Sequence, residues 1–469
     1  MRGVMDAESG WVPRLEKAGK PVYQAIADAI ADDIRDGVLS PGAKLPPLRT
    51  LAEVLGLDFT TVSRAYGEAR RRGLVVGKVG QGTFVEARTP SRPEAKASPA
   101  AFIDMSMNAP PLPDAPQLLA RMRQEMADVA LGFPDRRLLS YGDNAGAEED
   151  RAAGVRWLAG RLPDLSHDRL IVCPGAQGAL LALLSTLVHP GDTVLTEELT
   201  YPGMRSLAAQ LGVHLAAVAM DEHGLLPDAF QAACERHAPK ALYCNPTLHN
   251  PTTVTLSAER RTEIVEIARR YGMVIIEDDA YGMLPADGPP PLAAIGPDVV
   301  YHVAGLAKCL SPALRVAFLV APDRRQAMRM VGAVRATMMA AAPVGAAVAT
   351  RWITSGVATD VLAGIRAEAR RRQRVAAEVL PAGSYVSAPE AFHLWLHLPE
   401  DWSRAEFAGQ LRARRLLVAA SDAFSVAPQA PEAVRLCLGS LADGAETRRV
   451  LAQVADLLDQ PPTMALSVV

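Results

Sequence analysis

Lys308 sits in HVAGLAKCLSPALRVAF directly after an apolar stretch, and Arg315 follows seven residues later. A lysine in a partly desolvated position keeps its amine neutral at low cost, so it can form a Schiff base with a carbonyl compound. An arginine close behind it can neutralise a phosphate on the same ligand. Asp278, in EDDAY, closes the apolar run 273–277, with Tyr281 three residues on. A carboxylate there can keep a ring nitrogen protonated, and the phenol can donate to an oxygen of the same ring. Asp279 competes for the carboxylate role, but the Asp-x-x-Tyr spacing favours Asp278. In VCPGAQGAL, Gly175, Ala176 and Gln177 join a strand to a helix, whose free N–H groups can hold a phosphate. Arg435, in AVRLCLGS, lies on a strand whose Val434, Leu436 and Leu438 turn to the opposite face. Its guanidinium can grip a carboxylate with two parallel hydrogen bonds. Alone, each also describes an ordinary feature: a surface lysine, a turn-capping acid, a solvated arginine.

A second chemistry stands at the other end of the chain. Residues 22–37 read as an amphipathic helix with Ile26, Ala29, Ile30 and Ile34 on one stripe, closed by Gly37. Prolines in LSPGAKLPP suit the start of a second helix, Leu48–Leu55, which Gly56 ends. A third helix starts near Thr60; Val62, Ala65, Tyr66 and Ala69 take its core positions, while Thr61 and Arg64 point outward. Strands 74–76 and 83–85 then flank the glycine-rich turn 77–82. Three helices and a hairpin are the layout of a winged helix, which sets its third helix in the DNA major groove and its wing against phosphates.

The elements that must position Lys308 and its companions alternate. Apolar runs at 169–173, 193–196, 241–244, 273–277 and 299–303 are separated by helical stretches such as 176–188 and 258–271. That pattern predicts an α/β fold with a mainly parallel, helix-covered sheet, in which ligands collect at the carboxyl ends of the strands. Between the two modules, ARTPSRPEAKASPAA (87–101) carries no large apolar residue and reads as a linker. The expected organisation is a DNA-reading domain at 20–86, the linker, and a ligand-binding domain at 102–469.

Composition excludes little. The chain is 49% hydrophobic and 22% charged with a formal net charge of −3, so affinity for a polyanion has to come from a local patch. Five scattered cysteines with no CxxC pair suit a reducing compartment and argue against a metal site. The N-terminus lacks a secretory apolar core, and the weakly polar run 336–350 is short and broken by Pro343. A cytoplasmic protein without a membrane span is expected.

Residues 21–85 resemble the GntR-type DNA-binding domain along their whole length. The resemblance implies operator DNA as partner and places Arg49, Thr61 and Arg64 at it, with Lys78 and Gln81 in the wing. Phe59 stands where the family often has a basic residue. From 102 to 458 the chain resembles the fold-type I aminotransferases, through Tyr141, Gly175, Tyr201, Asn250, Asp278, Lys308, Arg315 and Arg435 in that order. This implies the cofactor pyridoxal 5′-phosphate (PLP). Asn250, in the Asn-Pro-Thr stretch, would join Tyr281 at its phenolic oxygen, Tyr201 would stack on the ring, and Tyr141 would reach the phosphate of a neighbouring subunit. Arg435 takes the position of the arginine that holds a substrate carboxylate. Gly305 and Ala307 stand where hydroxyl ligands of the phosphate are common. Together the two halves resemble the MocR-type regulators of the GntR family, which implies a homodimer that responds to an amino compound or to PLP. A working aminotransferase with an appended DNA-binding domain is the alternative.

Overall fold

The computed structural model describes residues 4–6, 10–14, 21–40, 42–78, 81–86, 102–132 and 140–462. The linker expected at 87–101 and the side chain of Lys78 lie outside the described residues. The chain divides into two compact units, Met1–Ala100 and Ala101–Val469.

In the smaller unit, helices Val22–Arg35, Leu48–Leu55 and Phe59–Arg71 precede the antiparallel strands Val75–Lys78 and Gly82–Val85. Ile26, Ile30, Leu51, Val62, Ala65, Tyr66 and Ala69 close the core, with Val75 and Val85 from the hairpin. Gly56 ends the second helix at φ 64°, a left-handed conformation that glycine takes without penalty. The third helix starts at Phe59 because the Asp58 carboxylate caps it, accepting from Thr60 N at 2.7 Å. One core member has no counterpart in the sequence reading. Trp11, on a small strand pair (Val4–Asp6 with Gly10–Val12), is buried and donates from Nε1 to Asp33 Oδ2 at 2.7 Å.

The larger unit is built on a seven-stranded sheet ordered Leu170–Cys173, Ala317–Val320, Val300–Gly305, Val274–Asp278, Ala241–Cys244, Thr193–Glu197, His214–Val218. All neighbours are parallel except Ala317–Val320, which runs antiparallel to both of its own. Strand side chains alternate between two cores. Leu195, Leu242 and Ile275 join one; Val194, Tyr243 and Ile276 join the other. Burial on both faces is why these strands read as continuous apolar runs. A second, antiparallel sheet contains His393–His397 paired with Ala433–Cys437, and packs its own core through Leu394, Leu396, Val434 and Leu436. Among the described residues no helix is long and apolar enough to cross a membrane. The run 336–350 is divided between helices Arg324–Met338 and Pro343–Ser355.

Candidate functional site

Four loops at the carboxyl ends of the parallel strands converge with the second sheet. Asp278 is the last residue of Val274–Asp278, Lys308 follows Val300–Gly305, Asn250 follows Ala241–Cys244, and Gly175 opens the helix after Leu170–Cys173. Asp278 is buried, and loss of water pushes its carboxyl up to about 6, against a lowering hydrogen bond from Tyr243 Oη to Oδ2 at 2.8 Å. Its Oδ1 is buried without a hydrogen-bond partner. A half-satisfied buried carboxylate is costly, and it is an acceptor waiting for a donor. The Lys308 amine donates to the backbone oxygen of Asn108. Burial first, then the Arg435 guanidinium, brings it down to about 8, so a useful neutral fraction exists near neutral pH.

Asn108 was not among the sequence candidates, yet it joins much of the site. Its Nδ2 lies 2.9 Å from Tyr281 Oη and 3.0 Å from His393 Nδ1. With that donation the His393 ring proton belongs on Nε2, 3.3 Å from the carbonyl of His249. Burial holds His393 down at about 3, so the ring is neutral. Asn245 is a second member that the sequence reading missed. It donates to the Asp278 backbone oxygen at 2.5 Å, accepts from Asn250 N at 2.8 Å, and its own N–H reaches Glu197 Oε1 at 2.9 Å. Burial lifts Glu197 to about 8. Glu197 and Asn245 were hinted at only by their position at strand ends, and Tyr243, inside its strand, not at all.

The phosphate-type features stand together. Gly175, at φ 78°, starts helix Gly175–Leu187 without a side-chain cap, so its first N–H groups have no such partner. The Arg315 guanidinium lies against it: a Cβ on Gly175 would stand 3.2 Å from Nη2. Ala176 follows, and Gln177 donates from Nε2 to Gly203 O at 3.1 Å. Tyr201 is half-buried at the entry of helix Pro202–Leu211; burial and the charge of Asp278 raise its phenol, while Arg315 and Arg435 pull it the other way. Tyr201 is therefore within electrostatic reach of all three.

Arg435 is buried at the centre of the second sheet, opposite Trp395. Its Nη1 donates to Asn250 Oδ1 at 2.5 Å and Nη2 to the Ser106 carbonyl at 2.5 Å. The guanidinium lies 4.8 Å from the centre of the Phe424 ring, against which Trp395 packs edge-on at 6.0 Å. Tyr141 stands apart from this cluster, 93% exposed.

In the smaller unit, Arg49, Arg64 and Gln81 are exposed and Thr61 is half-buried on the outer side of the third helix. Arg64 stacks over the Tyr23 ring at 4.5 Å, which orients the guanidinium. Arg71 and Arg72 are tied to Glu68, and Arg72 also to Asp28 at 2.6 Å. Lys44 is a cation beside the hairpin that the sequence reading passed over; its ammonium lies 5.9 Å from the Phe84 ring.

Residues 22–85 match the gntR family of bacterial regulatory proteins, and residues 100–454 match aminotransferase class I and II. The chain is 30% identical over 429 residues to the HTH-type transcriptional regulator YdeF of Bacillus subtilis, covering 91% of this chain and 92% of that one. It belongs to the MocR-type regulators of the GntR family. YdcR of Escherichia coli, also described as an HTH-type transcriptional regulator, is 25% identical and covers 86% of this MocR-type chain and 92% of its own. Among solved structures, an archaeal alanine:glyoxylate aminotransferase superposes with a TM-score of 0.69 at 23% identity, over 76% of this chain and 90% of its own. The kynurenine aminotransferase of Pyrococcus horikoshii gives 0.69 at 21%, over 76% and 91%. At those identities the likeness is one of fold. The residues of this MocR-type site fit PLP, the cofactor of the aminotransferase fold. Asp278 Oδ1 lacks a donor, Lys308 offers an amine held near neutrality, and Gly175 with Arg315 forms a cradle that a Cβ would crowd.

Proposed function

We propose that this regulator binds PLP in the larger unit and alters operator binding in response to an amino compound carrying an acidic group. The observation that carries the reading is the convergence of Lys308, Asp278, Asn250 and Arg435 in one buried site on a chain that also carries a winged helix. When bound, the cofactor supplies an aldehyde and an electron-withdrawing ring. Lys308 presents its amine to the aldehyde. Asp278 Oδ1 would accept a hydrogen bond from the protonated ring nitrogen and keep it protonated, and Tyr281 with Asn250 would hold the phenolic oxygen. Tyr201 covers the ring. Gly175, Ala176 and Gln177 offer N–H groups to the phosphate, and Arg315 balances its charge. Arg435 takes the acidic group of the amino compound, with Phe424 fixing the plane of the guanidinium.

On the DNA side, Arg49, Thr61 and Arg64 meet base edges and backbone, and Lys78 and Gln81 meet the backbone from the wing. The working form is a cytoplasmic homodimer in which the exposed Tyr141 serves the phosphate of the partner. Ligands act only through a difference in affinity between two arrangements of the dimer.

Two observations favour a second reading, turnover as an aminotransferase. A Lys308 amine near pH 8 is suited to move a proton, and the chain is 31% identical over 211 residues to the bovine kynurenine/α-aminoadipate aminotransferase. Absorbance titration of the PLP-loaded protein with a panel of amino acids, run beside a DNA-binding assay, separates the readings. A regulator changes operator affinity at ligand concentrations that change the spectrum. Sustained keto-acid production with operator binding untouched sinks the regulator reading.

A further inference from the structure

Asn108 stands just past strand Ile103–Asp104 and is buried. Its Nδ2 lies 2.9 Å from Tyr281 Oη and 3.0 Å from His393 Nδ1. The direction of every hydrogen in this cluster follows from one backbone group. The His249 carbonyl, 3.3 Å from His393 Nε2, can only accept, so Nε2 carries the ring proton. Burial first, then the Arg435 guanidinium, pushes His393 down to about 3, so near neutral pH its Nδ1 is bare and accepts. The Asn108 amide must then turn its NH2 group this way, because the flipped amide would set Oδ1 against a bare Nδ1. One hydrogen of Nδ2 serves His393 Nδ1 and the other serves Tyr281 Oη. The orientation holds although it leaves Asn108 Oδ1 buried without a partner.

Tyr281 Oη therefore accepts from Asn108 and has its own proton to give. Burial raises the phenol above its ordinary value, so that proton stays in place. We propose that Asn108 and His393 are positioning residues that turn the Tyr281 hydroxyl proton toward the phenolic oxygen of the cofactor. The inference rests on the PLP reading above and adds to it what directs the tyrosine. A hydroxyl that faces an amide donor cannot point its proton that way. It also becomes a better donor, because successive hydrogen bonds strengthen one another by about 10–30%. The charged or titratable side chains that act on Tyr281 and His393 are Lys308, Arg435, Asp278, His249 and Cys437. The variants below leave all five in place.

Absorbance of the full-length, PLP-loaded protein as a function of pH tests the relay. The spectrum changes when the proton shared by the phenolic oxygen and the Lys308 nitrogen leaves. A hydrogen bond donated to that oxygen favours its negative form and lowers the midpoint. Tyr281→Phe removes the donor and should raise the midpoint by about one to two pH units. Asn108→Ala frees the hydroxyl to turn and should raise it by about half a unit. His393→Leu keeps much of the ring's volume but offers no acceptor. Asn108 can then flip and accept the Tyr281 proton, so the midpoint should rise at least as far as in Asn108→Ala. His393→Asn is the smaller side chain, yet its Oδ1 stands where Nδ1 stood, and it should keep the wild-type midpoint.

A wild-type midpoint in either Asn108→Ala or His393→Leu overturns the relay. A His393→Asn midpoint that follows His393→Leu overturns it too, since packing rather than the acceptor would then set the value. If Asn108→Ala does not load PLP, the two His393 variants decide. A wild-type protein without cofactor absorbance defeats the PLP reading itself, a result distinct from a normal spectrum with an unmoved midpoint.

Discussion

Replacing Lys308 with methionine should stabilise the cofactor-free protein below pH 8, and the reason lies in burial. Lys308 titrates at about 8 in the folded chain against 10.5 for a free lysine. Between those values the unfolded chain binds a proton that the folded chain does not, so stability rises with pH across that window. Below about 8 both states carry the proton and the full penalty is felt. A shift of two to three units corresponds to roughly 3 kcal/mol. Methionine has nearly the same length and no charge to desolvate, but it leaves the Asn108 carbonyl without its donor. That loss offsets about 1 kcal/mol. The expected net gain at pH 7 is therefore about 2 kcal/mol; it shrinks as pH rises above about 8, reaches zero before the free-lysine value, and leaves the variant about 1 kcal/mol less stable once the amine is neutral in both states. Urea unfolding of wild type and Lys308→Met at a series of pH values, followed through the transition of the larger unit, measures it. A variant less stable than wild type at pH 7, or a difference that does not change with pH, would refute the desolvated amine and with it the reason for assigning Lys308 the Schiff-base role.

Arg435→Ala should keep PLP loading while removing the spectral and operator responses to acid-bearing amino compounds; an unaltered response in absorbance and gel-shift assays means the acid group is held elsewhere. Gly175→Ala forces a side chain into left-handed backbone at a cost of roughly 1–2 kcal/mol and crowds Arg315. PLP affinity by equilibrium dialysis should fall, and an unchanged affinity would remove the phosphate assignment of this turn. Arg49→Ala and Arg64→Ala should each weaken operator binding by about 1–3 kcal/mol where the residue reads a base, with PLP loading unaffected. Wild-type operator affinity in both variants would show that another face meets DNA.

Short-range spacing made much of this protein legible. Val62, Ala65, Tyr66 and Ala69 announced the buried side of the third helix because a helix repeats every 3.6 residues. Gly175, Asp278 and Lys308 each stand just past an apolar run, and in a parallel sheet that position places a residue at the carboxyl edge. Arg435 was legible through the alternation of its strand, which leaves Val434 and Leu436 in the core and the arginine on the opposite side.

Other members of the site left no local signal. Ser106 and Asn108 meet Arg435 and Lys308 through backbone carbonyls, which every residue type possesses, so composition says nothing about them. Tyr243 looked like one more apolar residue of a buried strand, and only the neighbouring strand shows that its hydroxyl meets Asp278. Trp11 lay in a segment too short for periodicity to register, yet it fills the core of the DNA-reading unit. The sequence by itself determined which segments are strands and helices, and which side chains stand at strand ends, because those properties follow from a few neighbouring residues. Tertiary structure alone decided which of those ends meet: Asn108 and Lys308 are 200 residues apart in the chain, and they touch because the strand order folds the loops onto one edge while the second sheet supplies Arg435 from the other side.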